Sequence, residues 1–178
     1  RLLGWVPQAH AGLFAFTVED VVLMGRTARR GRFAAPSQLD HDVARSALER
    51  LGIGRLAGRV YTQASGGERQ LTLIARALAQ EAGVLILDEP TASLDFGNQL
   101  RVLAEVRRLS DDGIGILMST HQPEHALEVA DRIALLEAGR IVAQGPPRET
   151  ATPERLARLY AADLAAVVAR LSPVGRRP

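Results

Sequence analysis

The chain has 178 residues, 47% hydrophobic and 24% charged, a balance typical of a globular protein with one core or slightly more than one. The formal net charge is +2, all 22 basic residues are arginines and only 4% of the residues are aromatic, which gives nucleic-acid binding little support. Cysteine is absent, which excludes disulfides and thiolate metal sites, and no apolar run approaches the ~20 residues that span a bilayer.

The first half of the chain is predicted to be mainly helical after one strand. Its elements are a strand over residues 1–6, a short helix opened by a capping-box spacing at residues 17–20, an Arg- and Gly-rich loop over residues 25–36, and helices over residues 37–51 and 66–80. The side chains expected in the core are those of Trp5, Val18, Val21, Val22, Val43, Ala47, Leu48, Leu51, Leu71, Ile74 and Leu78.

The second half alternates strands with helices. Strands are predicted over residues 84–87, 114–118, 132–136 and 140–143, and helices over residues 98–109, 123–130 and onward from 152, before a frayed tail at 173–178. The apolar run at 84–87 suits a strand buried on both faces. The alternation indicates an α/β fold with a mainly parallel sheet covered by helices on both faces, and residues 17–62 read as a helical insert.

Two carboxylates follow the most apolar strand. Asp88 ends the run and Glu89 is next, so both are expected at the carboxyl edge of the sheet, where ligands of α/β folds bind. Asp88 can hold Mg²⁺, and Glu89 can orient and deprotonate a water molecule. Taken alone, the pair fits better with a strand that ends in two solvated acids.

Other polar residues stand at the predicted ends of elements. Ser65 precedes Gly66 and Gly67 at a helix start, where bare amides and a hydroxyl can bind a phosphate, although Ser65 and Glu68 also form an ordinary capping box. His121, after a strand, can contact a phosphate or serve a structural role. Gln8 can reach a metal or be a loop residue, and Asp95 can be a helix cap.

The order and spacing of these residues resemble the ATP-binding-cassette (ABC) ATPases. The resemblance identifies Gln8 with the Q-loop glutamine, residues 64–70 with the signature motif, residues 84–89 with Walker B, residues 93–95 with the D-loop and His121 with the switch histidine. The run from Glu89 to Asp95 (EPTASLD) is the most specific part. It implies a P-loop-NTPase-like fold with ATP and Mg²⁺ bound, Asp88 and Gln8 at the metal, and Glu89 as catalytic base.

The sequence also departs from the family pattern. Ala64 stands where the signature usually has Leu, Glu68 where Gln is frequent, and Gln122 where Asp often follows the histidine. More severely, no G-x-x-x-x-G-K-[ST] Walker A loop and no lysine occur in the 178 residues. We therefore expect a chain that lacks the N-terminal strands and Walker A loop, and that neither binds nor hydrolyses ATP appreciably by itself.

The resemblance also implies a domain division. Residues 1–16 would end the first part of the core with the Q-loop, residues 17–80 would form the helical subdomain with the signature motif, and residues 81–172 would form the RecA-like core, followed by the tail at 173–178.

The family works through partners. The resemblance implies a homodimer in which Ser65, Gly66 and Gly67 grip ATP held by the second ATPase subunit, while His121 supports the γ-phosphate. Asp95 is likewise implied to be a nucleotide-binding residue. It also implies transmembrane permease subunits, indirectly a substrate-binding protein, no nucleic acid, and a peripheral position on the cytoplasmic face of the cell membrane.

The segment after the Q-loop concerns the cargo. Residues 16–27 resemble importers of iron-siderophores, haem and cobalamin, and the Arg26, Arg29, Arg30 and Arg32 loop with Phe33 is expected to dock on the permease, unless it is merely solvated. The alternatives are an ABC ATPase of another importer class, a DNA-repair or ribosome-associated relative, and a truncated, non-catalytic interaction module.

Overall fold

The computed structural model describes residues 3–8, 15–29 and 35–171, and the chain divides into two compact units, Arg1–Ser119 and Thr120–Pro178. The strands are β1 (Leu3–Val6), β2 (Val84–Asp88), β3 (Gly115–Ser119), β4 (Ile133–Glu137) and β5 (Arg140–Gly145). The α-helices are α1 (Val18–Leu23), α2 (Gln38–Arg50), α3 (Gly66–Leu78), α4 (Phe96–Asp111), α5 (Pro123–Val129), α6 (Pro147–Thr150), α7 (Pro153–Leu159) and α8 (Leu164–Leu171). Short 3-10 helices span Met24–Arg29, Gly54–Leu56 and Tyr61–Gln63.

A parallel sheet with the order β1-β2-β3 forms the centre of the first unit. Val6 lies opposite Leu87, and Asp88 lies opposite Ser119. Because the three strands are parallel, their carboxyl ends meet at one edge of the sheet, which brings residues that follow β1, β2 and β3 together. The predicted α/β class with a parallel sheet is confirmed.

Helices α3 and α4 pack on one face of this sheet. Leu85 and Leu87 point to that face and are fully buried. On the other face, the part of the chain that the structure describes leaves Leu3, Trp5 and Leu117 more than half exposed. The placement of Trp5 in the core is therefore wrong, because side chains alternate along a strand and Trp5 points away from the helices. For the same reason β2 is fully buried on one face and only half-buried on the other.

Close packing of α3 on β1 depends on Gly4. A Cβ atom at this position would lie 2.8 Å from the Leu85 Cδ2 atom and 3.2 Å from the Ala77 carbonyl oxygen. The helix therefore approaches the strand more closely than a larger residue would permit.

The helical part of the first unit packs α1 and α2 against α3. Capping boxes at Thr17 and Ser37 begin α1 and α2, and the predicted helix start at residue 17 is confirmed. Two expectations need correction. The loop over residues 25–36 is helical at its start, since the 3-10 helix Met24–Arg29 continues from α1. On α2, Ala44 is fully buried and Val43 only half-buried, whereas Ala47, Leu48 and Leu51 are buried as predicted.

The second unit contains an antiparallel hairpin of β4 and β5. Ala138 and Gly139 both have positive φ, 46° and 76°, which is the geometry of a type I′ turn. A small core of Ile133, Leu135, Ala151 and Leu156 lies between the hairpin and the helices that follow it. The predicted tail at 173–178 lies outside the described residues, and the domain boundaries at 16/17 and 80/81 stay predictions. None of the helices in the described ranges combines the length and apolarity that crossing a bilayer requires.

Candidate functional site

Four polar residues meet at the carboxyl edge of the parallel sheet. The Gln8 Nε2 group donates a hydrogen bond of 2.8 Å to the Glu89 carboxylate. The Ser119 hydroxyl donates to the Asp88 Oδ1 atom at 2.7 Å and accepts from the Glu89 N–H group at 2.9 Å. The structure thus brings together three predicted site residues, Gln8, Asp88 and Glu89, with a fourth residue that had no predicted role.

The backbone at Glu89 is strained. Its φ angle is 44°, in the left-handed region that a residue with a Cβ atom adopts at a cost of about 1–2 kcal/mol. The sharp turn after β2 lifts Glu89 out of the strand and towards Gln8. Strain of this kind persists only where surrounding bonds hold it, and here bonds reach both the backbone N–H group and the carboxylate of Glu89.

The donor set at this edge fits Mg²⁺. Asp88 offers hard carboxylate oxygens, and the Gln8 amide oxygen stays available because its Nε2 group makes the bond to Glu89. No group of three or more His, Cys, Asp or Glu side chains that could hold a metal occurs among the described residues. One carboxylate and one amide oxygen, from Asp88 and Gln8, suit Mg²⁺, because proteins hold this ion by one or two side chains together with substrate phosphates and water.

A second cluster surrounds the N-terminus of α3. Ser65 is the N-cap: its N–H group donates to the Glu68 carboxylate at 3.0 Å, and its hydroxyl oxygen accepts from the Glu68 N–H group at 3.3 Å. Ser65 is exposed, and Gly66 and Gly67 occupy the first two helical positions. The hydroxyl hydrogen and the amides of the first turn can therefore serve an anion from outside.

The acidic residue in this first turn does not make the site negative. Glu68 pairs with Arg55 at 3.0 Å and lies 3.7 Å from Arg59. The backbone hydrogen bond from Ser65 is the largest factor that lowers the pKa of Glu68, with smaller contributions from both arginines against the opposing effect of burial. Because the two guanidinium groups balance the carboxylate, the helix N-terminus keeps its attraction for anions.

Asp95 joins this second cluster through Asn98. Asp95 caps α4 and accepts hydrogen bonds from the Asn98 N–H group at 2.9 Å and the Asn98 side-chain amide at 2.7 Å, which together lower the pKa of Asp95. Asn98 also packs on Gly67, where an added Cβ atom would lie 2.8 Å from the Asn98 Cβ atom. Helix α4, which Asp95 caps, is therefore in direct contact with the N-terminus of α3.

His121 lies in the second unit, two residues after β3. Its side chain is exposed, and its backbone carbonyl accepts a hydrogen bond of 3.3 Å from the Tyr160 hydroxyl. The predicted contact of His121 with a γ-phosphate stays a prediction.

In the predicted docking loop, Arg29 is exposed but Arg26 is buried. Arg26 was expected to be exposed, but its side chain is 5% exposed and bonds to Asp40 at 3.0 Å and to Glu81 at 2.6 Å. Arg29 also pairs with Glu81, at 3.0 Å. Both arginines therefore stabilise the fold. Arg30, Arg32 and Phe33 lie outside the described residues.

Comparison with known proteins defines the family. Residues 1–92, just over half of the 178, match the ABC transporter family model, and the chain belongs to this family. A solved metal-chelate type ABC transporter in an inward-facing conformation is 40% identical and superimposes with a TM-score of 0.86, over 90% of this chain and 64% of the other.

Individual relatives are ATP-binding proteins of transporters. An uncharacterised ABC transporter ATP-binding protein of Haemophilus influenzae is 48% identical over 160 residues, which is 90% of this chain and 61% of the relative. A hemin import ATP-binding protein of Burkholderia lata is 43% identical over 87% of this chain and 61% of its own length. A molybdate import ATP-binding protein of H. influenzae is 40% identical, over 89% and 62%. The chain thus spans about three fifths of the length of these relatives.

Two residues of the site were not found from the sequence. Ser119 and Asn98 belong to no recognisable sequence motif. Ser119 contacts Asp88 and Glu89, and Asn98 contacts Gly67, and all of these partners are about 30 residues away along the chain. The pairing of strands offers one way to predict the role of Ser119, because Ser119 ends the strand that lies next to the strand ended by Asp88.

Proposed function

We propose that this protein is the ATP-binding and ATP-hydrolysing subunit of an ABC importer, and that it works as a homodimer on transmembrane permease subunits. The observation that carries the proposal is the hydrogen bond of 2.8 Å from Gln8 to Glu89 beside Asp88. The proposed metal ligand Asp88, the proposed base Glu89 and the amide of Gln8 then share one edge of the sheet. The proposal concerns the full-length product of the gene, since the 178 residues contain no lysine and no phosphate-wrapping loop.

Hydrolysis would proceed by positioning and charge stabilisation. The Glu89 carboxylate orients the attacking water and accepts its proton, while the bond from Gln8 fixes the plane of that carboxylate. Asp88 and Gln8 would hold Mg²⁺, which when bound neutralises charge on the phosphates. His121 would add a contact to the γ-phosphate.

The second cluster would act on ATP bound by the partner subunit. Ser65 is exposed at the N-terminus of α3, and together with the amides of Gly66 and Gly67 it is suited to a γ-phosphate presented from another molecule. Asp95, held by Asn98, would contact the partner across the dimer. Closure of the dimer would complete both sites and transmit the change to the permease.

We propose a metal chelate as the imported cargo, in the class of haem, cobalamin or an iron-siderophore. The hemin-import relative and the metal-chelate type transporter structure support this class. The runner-up is another importer class, because a molybdate-import relative is nearly as similar.

The test of the ATPase proposal is Glu89→Gln in the full-length protein. Gln keeps the shape of Glu but cannot accept the proton, so we expect kcat to fall roughly 10²- to 10⁴-fold with ATP affinity within a few-fold of wild type. Calorimetry and phosphate release measure the two quantities, and an ATP-bound dimer should accumulate in gel filtration. The control is Glu137→Gln, an exposed glutamate of β4, which should leave both unchanged. Turnover by Glu89→Gln within a few-fold of wild type would refute the role of Glu89.

A further inference from the structure

The Ser119 side chain makes two hydrogen bonds that converge on adjacent residues. Its one hydrogen is donated to the Asp88 Oδ1 atom at 2.7 Å, and its oxygen accepts from the Glu89 N–H group at 2.9 Å. A single hydroxyl thus connects the side chain of the proposed metal ligand with the backbone of the proposed base. Both bonds are compatible at once, because a hydroxyl is one donor and also an acceptor.

Packing among the residues that the structure describes does not explain this serine. Ser119 is exposed at the end of β3, and the side chains of β3 are exposed or half-buried throughout. Ser119 lies opposite Asp88 in the parallel register, so the backbone delivers its hydroxyl to the carboxylate without a loop or a side-chain rearrangement. What the position requires is therefore a hydroxyl rather than an apolar contact.

We propose that Ser119 is a positioning residue for hydrolysis, an inference that rests on the function proposed above. The backbone of Glu89 has the unfavourable φ angle of 44°. Ser119 holds the N–H group of that residue while Gln8 holds its carboxylate, so Glu89 is fixed at both ends. The bond from the Ser119 hydroxyl to Asp88 Oδ1 orients the Asp88 carboxylate relative to the Glu89 carboxylate.

A pair of isosteric variants in the full-length protein tests this role. Ser119→Val and Ser119→Thr have nearly the same shape and both suit a strand, but only Thr keeps the hydroxyl. We expect Ser119→Val to lower kcat by about 10- to 100-fold at saturating Mg-ATP, because small misplacements of reacting groups cost that much, with KM for ATP within about 3-fold. Ser119→Thr should restore most of kcat. Leu117→Val, on the same side of β3, is the control and should match wild type.

A double-mutant cycle separates positioning from general damage. If Ser119 acts through Glu89, then Ser119→Val should lower single-turnover hydrolysis by less than about 2-fold in the Glu89→Gln background, far from additive. Equal losses in the Val and Thr variants, additive losses in the cycle, or wild-type kcat in Ser119→Val would each overturn the inference. If Ser119→Val fails to fold, Ser119→Ala removes the hydroxyl without adding a methyl group and is judged by the same criteria.

The outcome also distinguishes this inference from the proposed function. Full activity of Glu89→Gln would refute the ATPase assignment itself. Loss of activity in Glu89→Gln together with full activity in Ser119→Val would refute only the role of Ser119.

Discussion

A buried arginine stabilises the contact between the helical part and the end of α3. Arg26 donates to Asp40 at 3.0 Å, to the Ala79 carbonyl at 2.8 Å and to Glu81 at 2.6 Å. A buried guanidinium is tolerated only when it is paired in this way. The backbone N–H group of Ser37, followed by Arg26, lowers the pKa of Asp40 from 3.8 to about 2.

This low pKa makes a prediction about acid unfolding. Because the folded pKa lies below the unfolded one, the contribution of Asp40 to stability is complete above about pH 4 and disappears as the pH falls towards about 2. Asp40→Asn should destabilise the protein at pH 7 and lose less further stability between pH 4 and pH 2 than wild type. Urea unfolding at a series of pH values measures this. Asp42→Asn, on the same helix but exposed, is the control, and equal effects of both substitutions would contradict the assignment.

Residues that act through local chemistry were predictable, and residues that act through tertiary contacts were not. The order and residue types of Gln8, Asp88 and Glu89 are enough to predict that they belong to one edge of the sheet. Arg26 looks like a surface residue in an Arg-rich segment, and only the packing of α2 and α3 around it decides that it is buried. The prediction that Trp5 is in the core was wrong for a related reason, because the hydrophobicity of a residue does not indicate which face of the sheet the helices cover.

At the scale of elements, the junction between α3 and α4 depends on a glycine. Gly67→Ala would drive a Cβ atom into the side chain of Asn98, whereas Gly66→Ala would meet only the flexible end of Leu94, at 3.2 Å. We expect Gly67→Ala to lower the free energy of unfolding by about 1–3 kcal/mol, typical of overpacking, and Gly66→Ala to cost clearly less.

Asn98→Gly should reverse part of the loss, because it removes the three atoms that would lie nearest to the new methyl group. The double mutant should therefore be more stable than the sum of the two single changes predicts. Chemical denaturation of the four proteins measures the coupling. Additive losses, or a Gly67→Ala protein as stable as Gly66→Ala, would show that the contact is not what requires glycine.

Most elements could be predicted because their boundaries are encoded locally. The capping-box residues at Thr17 and Ser65 begin α1 and α3, and Gly52, with a φ angle of 64°, follows α2 as predicted. The 3-10 helix Met24–Arg29 was missed because arginine and glycine there are typical of a loop. Its turn is held by packing on α3, where Gly25 lies against the Arg76 carbonyl.

At the scale of the whole molecule, family membership follows from motif order, but the cargo does not. The residues of both clusters would handle ATP identically whatever is transported. Under the proposed function the cargo would therefore depend on the permease partner, and the relatives of similar identity include both a hemin import and a molybdate import ATP-binding protein.

The metal-chelate proposal predicts a specific transport defect. Disruption of the gene should reduce uptake of at least one of labelled ferric siderophore, haem and cobalamin by roughly 10-fold or more, because an importer without its energy source cannot accumulate cargo. The wild-type gene in trans should restore uptake and the Glu89→Gln gene should not, which ties the defect to hydrolysis. Labelled molybdate, a sugar and an amino acid serve as comparison solutes. Unchanged uptake of all three chelates with loss of one comparison solute would overturn the cargo assignment and leave the ATPase proposal intact.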